Sequence, residues 1–481
     1  MPGRLFFARL FLLCAALSSV SLQAQNLPAG VIQSLQKVHV PPEALGVYVQ
    51  EITAPTQTAE ASAPLINWQA DAPMQPASTI KLVTSYAALD ILGPAYTWKT
   101  SVYMTGHLEG DVLVGDLILQ GGGDPHLVLE NFWMLLRQIR AKGIREIQGN
   151  LIIDNTWMEP QHFDAADFDG DPTRPYNVGP DALLVNFNVL NLQLHPDASG
   201  LRVEALTPLA FQSSVQVSYT SGACGDWRKQ LTPIFSVVDQ QINLYLTGTY
   251  AKSCGDNSWL LQAYPLTHAD YDGALFRALW KELGGQFSGS MQTGVVPADA
   301  TLITTLESEP LPDILRAMDK YSNNVMTRLV WLTMDRETSQ SPANPQRAAQ
   351  LVQHWFARLG IATDGLQLEN GSGLSRSEHI SAAQMGQMLN HAFASRVMPE
   401  FISSMPILGV DGTMKKRALN LPVAGNAHIK SGGLEGVRNV AGYVLAASGR
   451  RYVVVCFVNH KNAQQTEGAQ DELLQWIYEH G

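Results

Sequence analysis

Three short stretches of this chain carry side chains that chemistry can use. They are Ser78-Thr79-Ile80-Lys81, Ser322-Asn323-Asn324 and Lys430-Ser431-Gly432. A serine hydroxyl is a weak nucleophile until a base takes its proton. On a helix, positions i and i+3 share a face, so Lys81 reaches Ser78 one turn away. A lysine acts as a base only when neutral, and both burial and a second cation push it that way; Lys430 is the candidate second cation. Ser78 at a helix N-terminus offers its own amide to an oxyanion, and Gly433 offers a second. Ser322 supplies a hydroxyl to relay a proton between Lys81 and a leaving group. Asn324 presents an amide to a peptide bond, and Lys430 with Ser431 suits a terminal carboxylate. The chemistry expected is acyl transfer through a covalent serine intermediate.

An SxxK spacing alone recurs by chance, and SNN or KSG alone is a common loop or turn. The conjunction is more specific, because the elements place the motifs. Ser78 opens a run to Leu92 whose apolar residues, among them Ile80, Leu82, Val83 and Leu89, lie on nearly all sides. A helix of that kind belongs at the centre of a fold. Lys430 stands on the rim of a terminal antiparallel meander with strands expected at 426–430, 439–446 and 451–458, followed by a helix at 470–479. Strands are also expected at 45–52 and 65–69, and helices at 271–283, 311–334 and 343–359. From about residue 99 to 264 short strands and turns dominate, including 112–119, 150–154, 201–218 and 240–249. The chain thus reads as an α/β domain, 27–98 with 265–481, split by a mostly β insertion over 99–264, itself two nested subdomains.

The set SxxK, SxN and KSG, in this order, resembles that of the penicillin-binding proteins. The chain is similar to their low-molecular-mass class C, the penicillin-binding protein 4 type, over nearly the whole mature length. Gly121-Gly122-Gly123-Asp124-Pro125 and Asn370-Gly371-Ser372-Gly373-Leu374-Ser375-Arg376 match further family stretches. Asn370 stands for the usual Asp, and Ser431 for the commoner Thr with its hydroxyl kept. Ser322 lies 244 residues after Ser78, a gap such enzymes fill with inserted domains. The resemblance implies a transpeptidase-like domain of helices packed on an antiparallel sheet. It implies D-alanyl-D-alanine carboxypeptidase or endopeptidase activity on peptidoglycan stem peptides, and covalent inhibition by β-lactams. It also implies a pocket for the amine end of a diaminopimelate stem, for which Asp171 and Tyr176 have the family's spacing; a solvated acidic loop is the plain alternative. A β-lactamase or a catalytically idle peptidoglycan-binding sensor stays open beside the peptidase.

Composition narrows the rest. Of 481 residues, 46% are apolar and 16% charged, which fits large buried cores, and a net charge of −11 gives no footprint for nucleic acid. Arg4 and Arg9, an apolar run at 10–17 and Leu22-Gln23-Ala24 read as a cleaved secretory leader over 1–24, placing the mature chain in the periplasm without a membrane anchor. Cys224 and Cys254 sit in like settings, Cys-Gly-Asp, and export lets them pair; neither has ligand spacing for a metal. Cys456 lies in an apolar strand. His126, His379 and His428 fall near motifs but form no metal-binding pattern, and Gly121–Gly123 lacks the spacing of a phosphate loop. No cofactor or metal is expected.

Overall fold

Residues 27–52, 63–238, 241–264 and 266–481 are described by the computed structural model; the expected leader lies outside them. Among the described residues no helix is long and apolar enough to cross a membrane.

Strand Arg451–Asn459 shows how the main sheet is built. Val453, Val455 and Phe457 enter one core, while Val454, Cys456 and Val458 enter another. Alternate side chains face opposite ways along a strand, so a strand covered on both faces reads as a continuous apolar run. The sheet is antiparallel, in the order 66–68, 45–51, 451–459, 437–445, 427–434. The terminal helices Ala29–Lys37 and Glu467–His480 cover one face. Helices Lys81–Ile91 and Ala382–Ala394 lead the cluster on the other. This is the expected transpeptidase-like arrangement. Cys456 is buried, and burial pushes its thiol up to about 12, so it is inert.

After the Lys81–Ile91 helix the chain enters a second lobe with its own core, built around residues such as Val102, Phe132, Leu192 and Leu244. Four sheets make it, two mixed ones at the near end and two three-stranded ones farther along the chain. Cys224 and Cys254 are disulfide-bonded, with Cα atoms 4.7 Å apart.

Four expectations need revision. The run at 201–218 is two strands, Leu201–Ala205 and Phe211–Thr220, in different sheets. The lobe does not end at 264. Helix His268–Glu282 puts Tyr271, Phe276 and Trp280 into its core, and Thr301–Glu307 pairs with the entering strand Lys99–Met104. Entry and exit strands are therefore neighbours, and the catalytic portion resumes just beyond Glu307. A helical period shows that a segment is amphipathic, not which of two cores it faces. Residues 112–119 form two strands, Val112–Val114 and Leu117–Gln120, in different sheets, because Gly115 takes φ 154° between them. The segment 311–334 is two helices, Leu311–Tyr321 and Asn324–Ser339, broken at Ser322.

Candidate active site

Ser78 lies in a 3₁₀ turn, Ala77–Ile80, that runs directly into helix Lys81–Ile91. Helix starts tighten this way because their first amides lack partners. Ala77 sits at φ 45°, a conformation rare for a residue with a side chain. Its surroundings impose it. Asn459 Oδ1 accepts from Gln75 N at 2.8 Å, and Asn439 Nδ2 donates to Gln75 O at 2.8 Å. Gly432 lies so close that a Cβ there would meet Pro76 O at 2.8 Å and Ser78 N at 3.0 Å. Gly373, at φ 80°, packs on Ala77 O from another side. Ser78 is thus held by three strands and a glycine loop, with its side chain partly exposed.

Lys81 is fully buried, 0% exposed. Its Nζ lies 3.1 Å from Ser78 Oγ and donates to Asn324 Oδ1 at 2.7 Å and to the Ser372 carbonyl. Burial, and then the Lys430 charge, hold its pKa well below the ordinary lysine value. A neutral amine has two hydrogens and one lone pair. When Lys81 is neutral, the two carbonyl oxygens take its hydrogens and the lone pair is left for the Ser78 hydroxyl; when it is charged, Nζ donates to all three oxygens. Ser372 was not anticipated as part of this contact. It follows from the Asn370–Arg376 loop, whose amides at Asn370, Gly371 and Gly373 donate to the buried Glu378 carboxylate at 3.0, 2.8 and 3.1 Å.

Lys430 is also buried, and burial lowers it to about 8 against the opposing pull of Asp319. It donates to Ser322 Oγ at 2.8 Å and to Ser431 O at 3.0 Å. Ser322 takes φ 58° as the left-handed cap of Leu311–Tyr321, and Asn323 then caps the next helix by accepting from Met326 N. Asn324 is engaged at both ends of its amide. Its Oδ1 accepts from Lys81 Nζ and its Nδ2 donates to Tyr176 O at 3.1 Å, so it ties Lys81 to the inserted loop. Asp319 was missed, although its spacing gave a signal. It follows Leu311 and Leu315 by steps of four, on the apolar face of its helix. It is buried, accepts from Ser85 at 2.7 Å and Ser404 at 2.9 Å, and burial raises it to about 6.

Lys430, Ser431 and Gly432 lie inside strand Ala427–Leu434, which continues past the motif to Leu434. It is the outermost strand. Ile429 N donates to Pro406 O, off the open edge. Strand amides alternate in direction, so the amides of Ser431 and Gly433 point the same way, outward beside Ser78.

The inserted loop comes to the site through the Tyr176 carbonyl. Asp171 accepts from Thr173 Oγ1 at 2.6 Å and Arg174 Nε at 2.7 Å, while the Tyr176 hydroxyl donates to Asp169 at 2.7 Å. Asp169 and Arg174 are therefore members of this cluster that the spacing argument passed over, because several aspartates crowd the loop.

A serine paired with a buried lysine, a second lysine on an edge strand, and a glycine loop at the back form a set that serine acyl transfer can use. Residues 30–479 match the D-Ala-D-Ala carboxypeptidase 3 (S13) family, and the chain belongs to it. It is a serine hydrolase of that family. It is 26% identical over 393 residues to D-alanyl-D-alanine carboxypeptidase DacB of Haemophilus influenzae, covering 80% of each chain. With a D-alanyl-D-alanine carboxypeptidase of Actinomadura sp. (strain R39) it shares 28% over 397 residues, 78% of this chain and 71% of the relative. The crystal structure of penicillin-binding protein 4 from Haemophilus influenzae has the same fold, with a TM-score of 0.76 at 24% identity, over 94% of this chain and 99% of that one.

Proposed function

We propose that the chain is an exported D-alanyl-D-alanine carboxypeptidase and endopeptidase of peptidoglycan stem peptides, with Ser78 as its nucleophile. The observation that carries the reading is the environment of Lys81: fully buried, its pKa held well below the ordinary lysine value by burial and the Lys430 charge, with Nζ 3.1 Å from Ser78 Oγ and hydrogen-bonded to Asn324 Oδ1 and the Ser372 carbonyl. Lys81 takes the hydroxyl proton as Oγ attacks the carbonyl of the penultimate D-alanine. The amides of Ser78 and Gly433 receive the oxyanion. Lys430 donates to Ser322 Oγ, which leaves the Ser322 proton free for the departing nitrogen; Ser322 takes in its place the proton that Lys81 received, and Lys81 returns to its neutral form. The acyl-enzyme is then hydrolysed by water that Lys81 activates. A β-lactam enters the same first step and acylates Ser78.

Several features support this over a β-lactamase. Glu378, the buried carboxylate behind the site, is occupied by backbone amides and is no base for a deacylating water. The loop with Asp171 and Tyr176 suits the amine end of a stem side chain. Two carboxylates, Asp169 and Asp171, share the one guanidinium of Arg174, so the loop keeps a negative charge. Export to the periplasm, with cleavage near Ala24, is consistent with the Cys224–Cys254 bond. The test is digestion of purified peptidoglycan with mass analysis of the fragments. Release of terminal D-alanine and cleavage of cross-linked dimers to monomers by the wild type, absent in Ser78→Ala, is expected. Rapid turnover of penicillin without peptide release overturns the reading.

A further inference from the structure

We infer that Thr413 is a second hydroxyl donor in the subsite that receives the free carboxylate beside the scissile nitrogen. The inference rests on the peptidase reading above and adds a binding residue that lies outside all three motifs.

The segment ahead of Thr413 runs along the open edge of strand Ala427–Leu434. Leu408 N donates to Ala427 O at 2.9 Å, and Ile429 N donates to Pro406 O at 2.8 Å. The segment then leaves the edge at Gly409, φ 73°, so that Ser431 and Gly433 stay uncovered by it. The turn that follows is fixed from two sides. Asp411 accepts from Lys320 Nζ at 2.5 Å and from Ile407 N at 2.7 Å. Gly412 adopts φ 55°, and a Cβ there would stand 2.5 Å from Lys320 O. Lys320 is two residues ahead of Ser322, so this turn is tied to the same helix end that places the relay serine.

The result is that Thr413, exposed to solvent, holds Oγ1 3.2 Å from Ser431 Oγ. In such a pair one hydroxyl donates and the other accepts, so one proton is left to point at a ligand. A carboxylate has two oxygens and about four lone-pair sites, and accepts from both hydroxyls once it takes over the proton that joined them. Beneath them the Lys430 ammonium, on the Ser431 carbonyl at 3.0 Å, supplies the opposite charge. A lone serine in the KSG motif grips one carboxylate oxygen, and Thr413 is placed to grip the other.

The test compares two synthetic peptides, one ending in D-Ala-D-Ala with a free carboxylate and one ending in the carboxamide. Thr413→Val keeps shape and removes the hydroxyl, and Thr413→Ser restores it. The ratio of kcat/KM on the free acid to that on the amide is expected to fall about tenfold in Thr413→Val, mostly through KM, and to recover in Thr413→Ser. Combined with Ser431→Ala, the loss should be less than additive, since both groups act on one carboxylate. An unchanged ratio, or an equal loss on both peptides, overturns the inference while leaving the peptidase reading intact. A wild type that cleaves neither peptide overturns both.

Discussion

At the scale of single residues, two buried lysines divide the work. The proposed mechanism needs Lys81 neutral and Lys430 protonated. Activity therefore rises with pH as Lys81 loses its proton and falls as Lys430 loses its own, near about 8. A bell-shaped profile of kcat/KM with an alkaline limb near there is expected. Asp319→Asn removes the carboxylate that raises Lys430, so the alkaline limb should move to lower pH; a limb that stays in place would show that Lys430 does not control it. Lys81→Arg keeps the charge but cannot serve as a base. Its acylation by a fluorescent penicillin should slow by about 10²–10⁴-fold, while Ser78→Ala should show no labelling at all with the fold unchanged by circular dichroism. Asp171→Asn should slow cleavage of diaminopimelate peptides about tenfold and leave benzylpenicillin acylation almost unchanged. An equal loss on both would mean a collapsed loop, which the Asp171–Arg174 bond makes a fair rival.

At the scale of elements, the site depends on close approach of backbone to backbone. Strand Ala427–Leu434 touches the Ser78 turn only because residue 432 has no side chain. Gly432→Ala should push the strand or Ser78 by a fraction of an ångström. Acylation is expected to fall by about 10²-fold with little change in melting temperature; full activity in this variant would show that the turn tolerates displacement. Asn439 is the converse case, a polar residue with 0% exposure in an apolar strand. It bonds both Gln75 O and Val458 N. Its replacement by alanine removes both bonds, leaving Gln75 O only the longer one from Asn459 Nδ2 at 3.3 Å, and should cost about 1–3 kcal/mol in urea unfolding.

At the scale of the molecule, two lobes have separate cores joined where entry strand Lys99–Met104 meets exit strand Thr301–Glu307. The disulfide belongs to the inserted lobe alone, its cysteines packed against that core. A cross-link with a sequence separation of 30 stabilises by roughly 3–4 kcal/mol through restriction of the unfolded chain. Replacing both cysteines with serine should lower the melting of that lobe and leave the rate of penicillin acylation within about twofold. A large loss of acylation would mean that the lobes fold as one unit.

Residue types and periods are local properties, and what they determine was legible along the chain. Ser78 and Lys81 share a helix face because of a three-residue spacing. The run at 451–459 is a strand covered on both sides because it is apolar without interruption. The order of the three motifs and their fit to the family pointed to acyl transfer before any contact was known. Other features depend on which distant segments meet, and no spacing encodes that. Ser322 breaks its helix because Asn323 caps the next one and Gly412 leaves room against Lys320. Ser372 reaches Lys81 because Glu378 gathers its loop. Helix His268–Glu282 joins the inserted core because the strands that follow it return to Leu151–Asp154 and Lys99–Met104. The depressed pKa of Lys81 is the sharpest instance. Its sequence gives an amine near a hydroxyl, but only the fold removes the water and brings Lys430 close enough to make that amine a base.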